Sequence, residues 1–119
     1  MRRLVLNAIL TVGLAGGVVA CSAPGVGSAP PVQNRNFTVH VSGISADVTL
    51  LKAYEGDTIT LTIYADKAEE VHLHGYDLHF EPAPGKPDTK TFKADKTGTF
   101  EYEIEATSQH LGNLEVDPR

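Results

Sequence analysis

A single cysteine, Cys21, a single methionine, Met1, and no tryptophan occur among the 119 residues. One thiol cannot close a disulfide within the chain. Beyond Cys21 there is no sulfur at all, which removes thiolate and thioether ligands for soft metal ions from the rest of the sequence. Basic charge is also scarce. Arg2 and Arg3 are the only charged residues before Cys21, so eight basic residues stand against fifteen acidic ones beyond it, a formal charge of −7. That balance excludes a basic stripe for nucleic acid and electrostatic docking on anionic lipid. No glycine-rich phosphate loop, no Ser/His/Asp arrangement and no carboxylate pair in a recognisable motif is present, so an enzyme is not expected.

The one long apolar run stands at the start. Met1-Arg2-Arg3 is cationic, and Leu4 to Ala20 is apolar or small apart from Asn7 and Thr11. That is the order of a secretory signal, and it is shorter than the roughly 20 apolar residues of a spanning helix. The run ends in Val18-Val19-Ala20-Cys21, which resembles the bacterial lipobox. The resemblance implies a lipoprotein signal peptide over residues 1–20, cleavage before Cys21, and lipidation of its sulfur. The protein would then be held by the lipid bilayer through acylated Cys21, in the cell envelope on the extracytoplasmic face of a bacterial membrane. Several acyl chains, at about 0.8 kcal/mol per buried CH₂, tether far better than one. Residues 21–35 would comprise the lipidated cysteine and a flexible Ser/Gly/Pro linker. A monomeric folded domain is expected over residues 36–119, a size that can fold without disulfides.

Within that domain the pattern is β throughout. Phe37, Val39 and Val41 alternate with polar residues, as do Ile59, Leu61 and Ile63, and again Phe100, Tyr102 and Ile104. Val48, Leu50 and Ala53 lead to a turn at Glu55-Gly56-Asp57. Pro82, Pro84, Gly85 and Pro87 form a loop that no helix would tolerate. About seven short antiparallel strands with frequent turns predict an all-β Greek-key sandwich.

Several pieces in order resemble the cupredoxins. They are Glu55-Gly56-Asp57 before a Thr/Ile strand, Val71-His72 on the next strand, the stretch Ala94 to Tyr102, and Leu111 to Val116 at the end. The stretch VHLHGYDL is more similar to small secreted cupredoxin-like domains than to electron-transfer proteins. The resemblance spans roughly residues 37–117 and implies a cupredoxin-like sandwich. It places the middle-strand ligand of a blue copper site on His72, its cysteine on Ile104, its second histidine near Thr107 and its methionine on His110. Type 1 blue copper requires a His₂Cys set, and this sequence does not carry one.

What remains is imidazole. His72, His74 and His79 fall within eight positions of a chain with five histidines. Residues two apart in a strand share a face, so His72 and His74 suit one metal ion. His79 lies past Gly75, where the chain could fold back, and His110 sits where cupredoxins place last-loop ligands. Asp77 or Glu70 could add an oxygen or orient a ring. These residues predict a site for copper, as Cu(II), or zinc, serving storage, delivery or sensing. The alternative is a metal-free sandwich that contacts another envelope protein, with the histidines on a solvated face. Glu101, Glu103 and Glu105 are read as a solvated strand face, and His40 receives no role.

Overall fold

The alternating runs become strands in a computed structural model of the protein, which describes residues 27–119. The expected signal peptide and Cys21 lie outside the described residues. The first strands are β1 (Asn34–Ser42), β2 (Ser45–Ala46), β3 (Leu50–Tyr54) and β4 (Thr58–Ala65). They are followed by β5 (Val71–Leu73), β6 (Leu78–Phe80), β7 (Asp88–Lys93), β8 (Gly98–Ile104) and β9 (Gln109–Asp117). One sheet has the order β2-β1-β4-β7 and the other β3-β9-β8-β5-β6.

The expected all-β sandwich is what forms. Val39, Val41, Ile59, Leu61 and Ile63 of the first sheet meet Leu51, Val71, Leu73, Phe80, Tyr102 and Leu114 of the second in one buried core. The detail differs from the expectation in three places. There are nine strands among the described residues, not about seven, because β2 and the β5–β6 hairpin are very short. Two pairings, β1 with β4 and β3 with β9, are parallel. Alternation reports which face of a strand is buried and carries no sign of a neighbour's direction, so the pattern could not show this. In β3 it is Leu51 and Ala53 that are buried, while Leu50 turns outward at 47% exposure. Strand β1 also begins at Asn34, inside the stretch expected as linker.

The turn at Glu55-Gly56-Asp57 does more than reverse the chain. Asp57 is fully buried and charged, and it gathers four donors. The Gln33 amide and the Arg119 guanidinium donate to Oδ1, at 2.9 and 2.5 Å. Arg35 Nε and the Tyr54 amide donate to Oδ2, at 2.9 and 3.1 Å. Burial alone would raise the Asp57 pKa. The Gln33 amide, Arg35 and the Tyr54 amide outweigh it and hold the carboxyl at about 2, against an ordinary 3.8. One carboxylate thus pins the entry to β1, the end of β3 and Arg119.

Strand β9 carries a bulge. Gly112 pairs with Tyr102, and His110 pairs with Glu103, so Leu111 is one residue too many for the ladder. Leu111 and Gly112 are consecutive and both buried. Strict alternation from Leu114 through Gly112 would send His110 inward. The extra residue turns it outward. Gly112 also lets the strand pass close to Tyr102, whose hydroxyl donates to the Val48 carbonyl. A Cβ at Gly112 would lie 2.6 Å from the Thr49 carbonyl oxygen and against the Tyr102 hydroxyl. Gly112→Ala is therefore expected to destabilise the fold by roughly 1–3 kcal/mol, the range for overpacking a filled core. Denaturant unfolding would measure it, and an unchanged midpoint would show that β9 yields there freely.

Candidate metal centre

The outer face of the second sheet collects four of the five histidines. Val71 and Leu73 of β5 point into the core, so His72 between them points out. His72 stands directly opposite His79 of β6 on one side and Glu103 of β8 on the other. Glu103 in turn stands opposite His110 of β9. A single row across four strands reads His79, His72, Glu103, His110.

The hairpin between β5 and β6 shapes one end of this row. Gly75 adopts φ +78°, and the Phe100 ring packs where a Cβ would be. Asp77 adopts φ +51°, a left-handed conformation that aspartate tolerates better than most residues. In that conformation its carboxylate lies back over the hairpin. Asp77 Oδ1 is 3.0 Å from His72 Nε2 and 3.2 Å from His79 Nε2. Two imidazole nitrogens thus converge on one oxygen.

Carboxylates partner every ring on this face. His79 Nδ1 lies 2.5 Å from Glu70, and His72 Nδ1 lies 3.1 Å from Glu105. His74 Nε2 is 2.9 Å from Glu103, and His110 Nδ1 is 3.1 Å from Glu101. The Glu70 carboxylate raises the His79 pKa above its ordinary 6.5; desolvation opposes this, and Asp77 adds to it. The His72 ring, with His79, holds Asp77 below the usual carboxylate value. His72 is the least exposed of the cluster, with 14% of its side chain open to water. Its ring stacks on His79 at 4.2 Å and tilts against His74 at 4.4 Å.

The structure therefore brings His72, His74 and His79 together and leaves His110 apart. His110 lies in strand β9, not in the preceding loop, and β8 runs between it and His72. Two interstrand spacings of about 4.8 Å separate their strands. The sequence mapping sends His72 and His110 to one end of the sandwich, whereas the bulge at Leu111 places His110 on the sheet face beside Glu101. Sequence reasoning also passed over the histidine-binding role of Glu103 and Glu105. The signal was present: Glu101 and Glu103 of β8, with Glu105 just past its end, repeat with period two, and Glu103 stands opposite His72. His40 is on the other sheet, paired with Asp47 and stacked on Tyr64.

Among solved structures, the chain matches an apo copper-binding protein solved by NMR, at TM-score 0.61 and 11% identity, covering 75% of this chain and 93% of that one. It matches the metal-binding domain of the Cu(I)-exporting P-type ATPase CopA of Streptococcus pneumoniae at 0.59 and 12%, covering 71% and 93%. A multicopper oxidase from Pseudomonas thermotolerans matches at 0.59 and 16%, covering 75% of this chain and 31% of that one. No family model and no curated protein sequence matches the chain. The fold is cupredoxin-like. Such folds occur here in oxidases and in metal-binding domains alike, so the architecture alone does not decide between catalysis and binding.

A type 1 copper ion does not fit the residues present. Ile104, at the position of the cysteine, is buried in the apolar core opposite Val71. Thr107 lies exposed in the turn before β9, and the described residues hold no sulfur. The donors that do converge are imidazole nitrogens and carboxylate oxygens on the open sheet face.

Proposed function

We propose that this chain is a lipid-anchored, extracytoplasmic cupredoxin-like domain that holds Cu(II) or another divalent ion, such as Zn(II), for storage, delivery or sensing. The observation that carries this reading is the convergence of His72 Nε2 and His79 Nε2 on Asp77 Oδ1, at 3.0 and 3.2 Å. Tetrahedral ligands bound at about 2.0–2.1 Å lie roughly 3.3 Å from one another, so both contacts to Asp77 already stand near ligand spacing. Neutral imidazole and carboxylate suit Cu(II) and Zn(II), and without thiolate or thioether the face is poorly suited to Cu(I). Copper in the names of the similar structures supports the same direction.

The test is calorimetric titration of residues 27–119 with Cu(II) and with Zn(II). Saturable uptake that His72→Ala removes supports the reading, and no uptake of either ion ends it. A specific observation favours a second reading. Each of the four histidines on the face already has a carboxylate partner, so the face is satisfied without an ion. The domain would then be a metal-free module that contacts another envelope protein.

Anchoring rests on the lipobox-like run before Cys21. Cys21→Ser is expected to release the protein from the membrane fraction or to leave an uncleaved precursor. Normal processing and continued tethering of that variant would overturn the anchor. Whatever becomes of Cys21, Cu(II)-loaded residues 36–119 should lack the intense colour of a copper thiolate, because they contain no cysteine.

A further inference from the structure

We infer that the sheet face takes two divalent ions, with His72 as the ligand they share; this rests on the metal reading above. Two groups of three side chains have ligand spacing. One is His72, Asp77 and His79, the other His72, His74 and Glu103, and in each group one ligand atom per residue lies within 4.8 Å of the others. They have only His72 in common. The first draws on β6 and its hairpin, and the second reaches β8 on the other side of β5.

His72 is built to face both ways. Its Nε2 turns to Asp77 at 3.0 Å, and its Nδ1 turns to Glu105 at 3.1 Å. Its ring contacts both the His79 and the His74 ring. Electrostatics favour two ions over one. Glu70, Glu101, Glu103 and Glu105 each lie against one of the four histidines, and Asp77 lies against two. With neutral rings they concentrate five negative charges on one face, which a single divalent ion leaves largely uncompensated. The first ion takes the lone pair of neutral His72 on Nε2. The second would take Nδ1, the nitrogen that Glu105 flanks, and displace its proton to solvent, leaving His72 as an imidazolate between the two ions. The group around Asp77 has two short edges converging on one oxygen. The group around His74 has one, from His74 to Glu103, so it fills second.

Native mass spectrometry of the full chain with Zn(II) should show two ions bound in sequence. His79→Ala and His74→Ala should each leave one ion, because each disables one group. With Cu(II), the integrated electron paramagnetic resonance signal should fall as the second equivalent enters, since two Cu(II) ions sharing an imidazolate couple antiferromagnetically. Uptake of a single ion in all, abolished by either variant alike, would overturn the inference while leaving the metal function standing. So would two ions with additive, uncoupled Cu(II) signals, or two ions that survive both variants. No uptake at all would remove the metal function itself.

Discussion

Asp57→Ala should destabilise the fold by about 3 kcal/mol, near the low end of the 3–5 kcal/mol for removing one partner of a buried ion pair. The low end applies because Arg35 and Arg119 keep 27% and 18% of their side chains in water. The amides of Gln33 and Tyr54 lose their acceptor as well. For a domain of this size, each kcal/mol shifts the melting temperature by roughly 4–8 °C, so a fall of about 12–24 °C is expected. A fall of only a few degrees would show that the buried carboxylate contributes little. The pH dependence follows from the same contacts. The folded pKa of Asp57 is about 2, below its ordinary 3.8. A carboxyl depressed by folding stabilises above its unfolded pKa and loses that contribution as pH falls through the folded one. About 2 kcal/mol should therefore be present at neutral pH and fade between pH 4 and 2. Asp57→Asn should flatten that part of the acid-unfolding curve.

His72→Ala should weaken Cu(II) or Zn(II) binding by roughly 100-fold or more, beyond the 10–100-fold seen when a residue that merely orients a ligand is lost. His72 belongs to both groups of converging donors, so no other single substitution on the face removes as much. His110→Ala should change affinity by only a few-fold, since that ring pairs with Glu101 and joins neither group. His40→Ala, on the other sheet, should have no effect. Equal small losses from all five histidines would indicate scattered surface binding instead. Binding should also weaken as pH falls, because imidazole ligates only when neutral. Glu70 and Asp77 raise the His79 pKa above 6.5. Proton competition at His79 should therefore begin at a higher pH than for a free imidazole, and Glu70→Gln should move that onset down.

The β-sandwich was legible because alternation is local. Ile59, Leu61 and Ile63 announce a buried face wherever their partners come from, and they are buried. His72 could be placed on the outer face of its strand by the same rule, whereas His74, expected on that strand, is the first residue of the turn past β5. Asp57 was hidden in plain sight. In sequence it is the last residue of an ordinary turn, and its importance comes from Arg35 and Arg119, which are distant along the chain.

By itself, then, the sequence determined the element type, the buried faces of the clearly alternating strands and the chemistry on offer. A chain with no sulfur beyond Cys21 cannot build a thiolate copper site, whatever its fold. The tertiary structure decided which donors meet. Strand pairing set His79 and Glu103 on either side of His72, and the hairpin's left-handed Asp77 brought an oxygen between two rings. The bulge at Leu111 turned His110 away from the position its place in the sequence suggests. The physical reason is the period of two. It assigns a side chain to a face, but one extra residue reverses that assignment, and only the register between strands records where the extra residue falls.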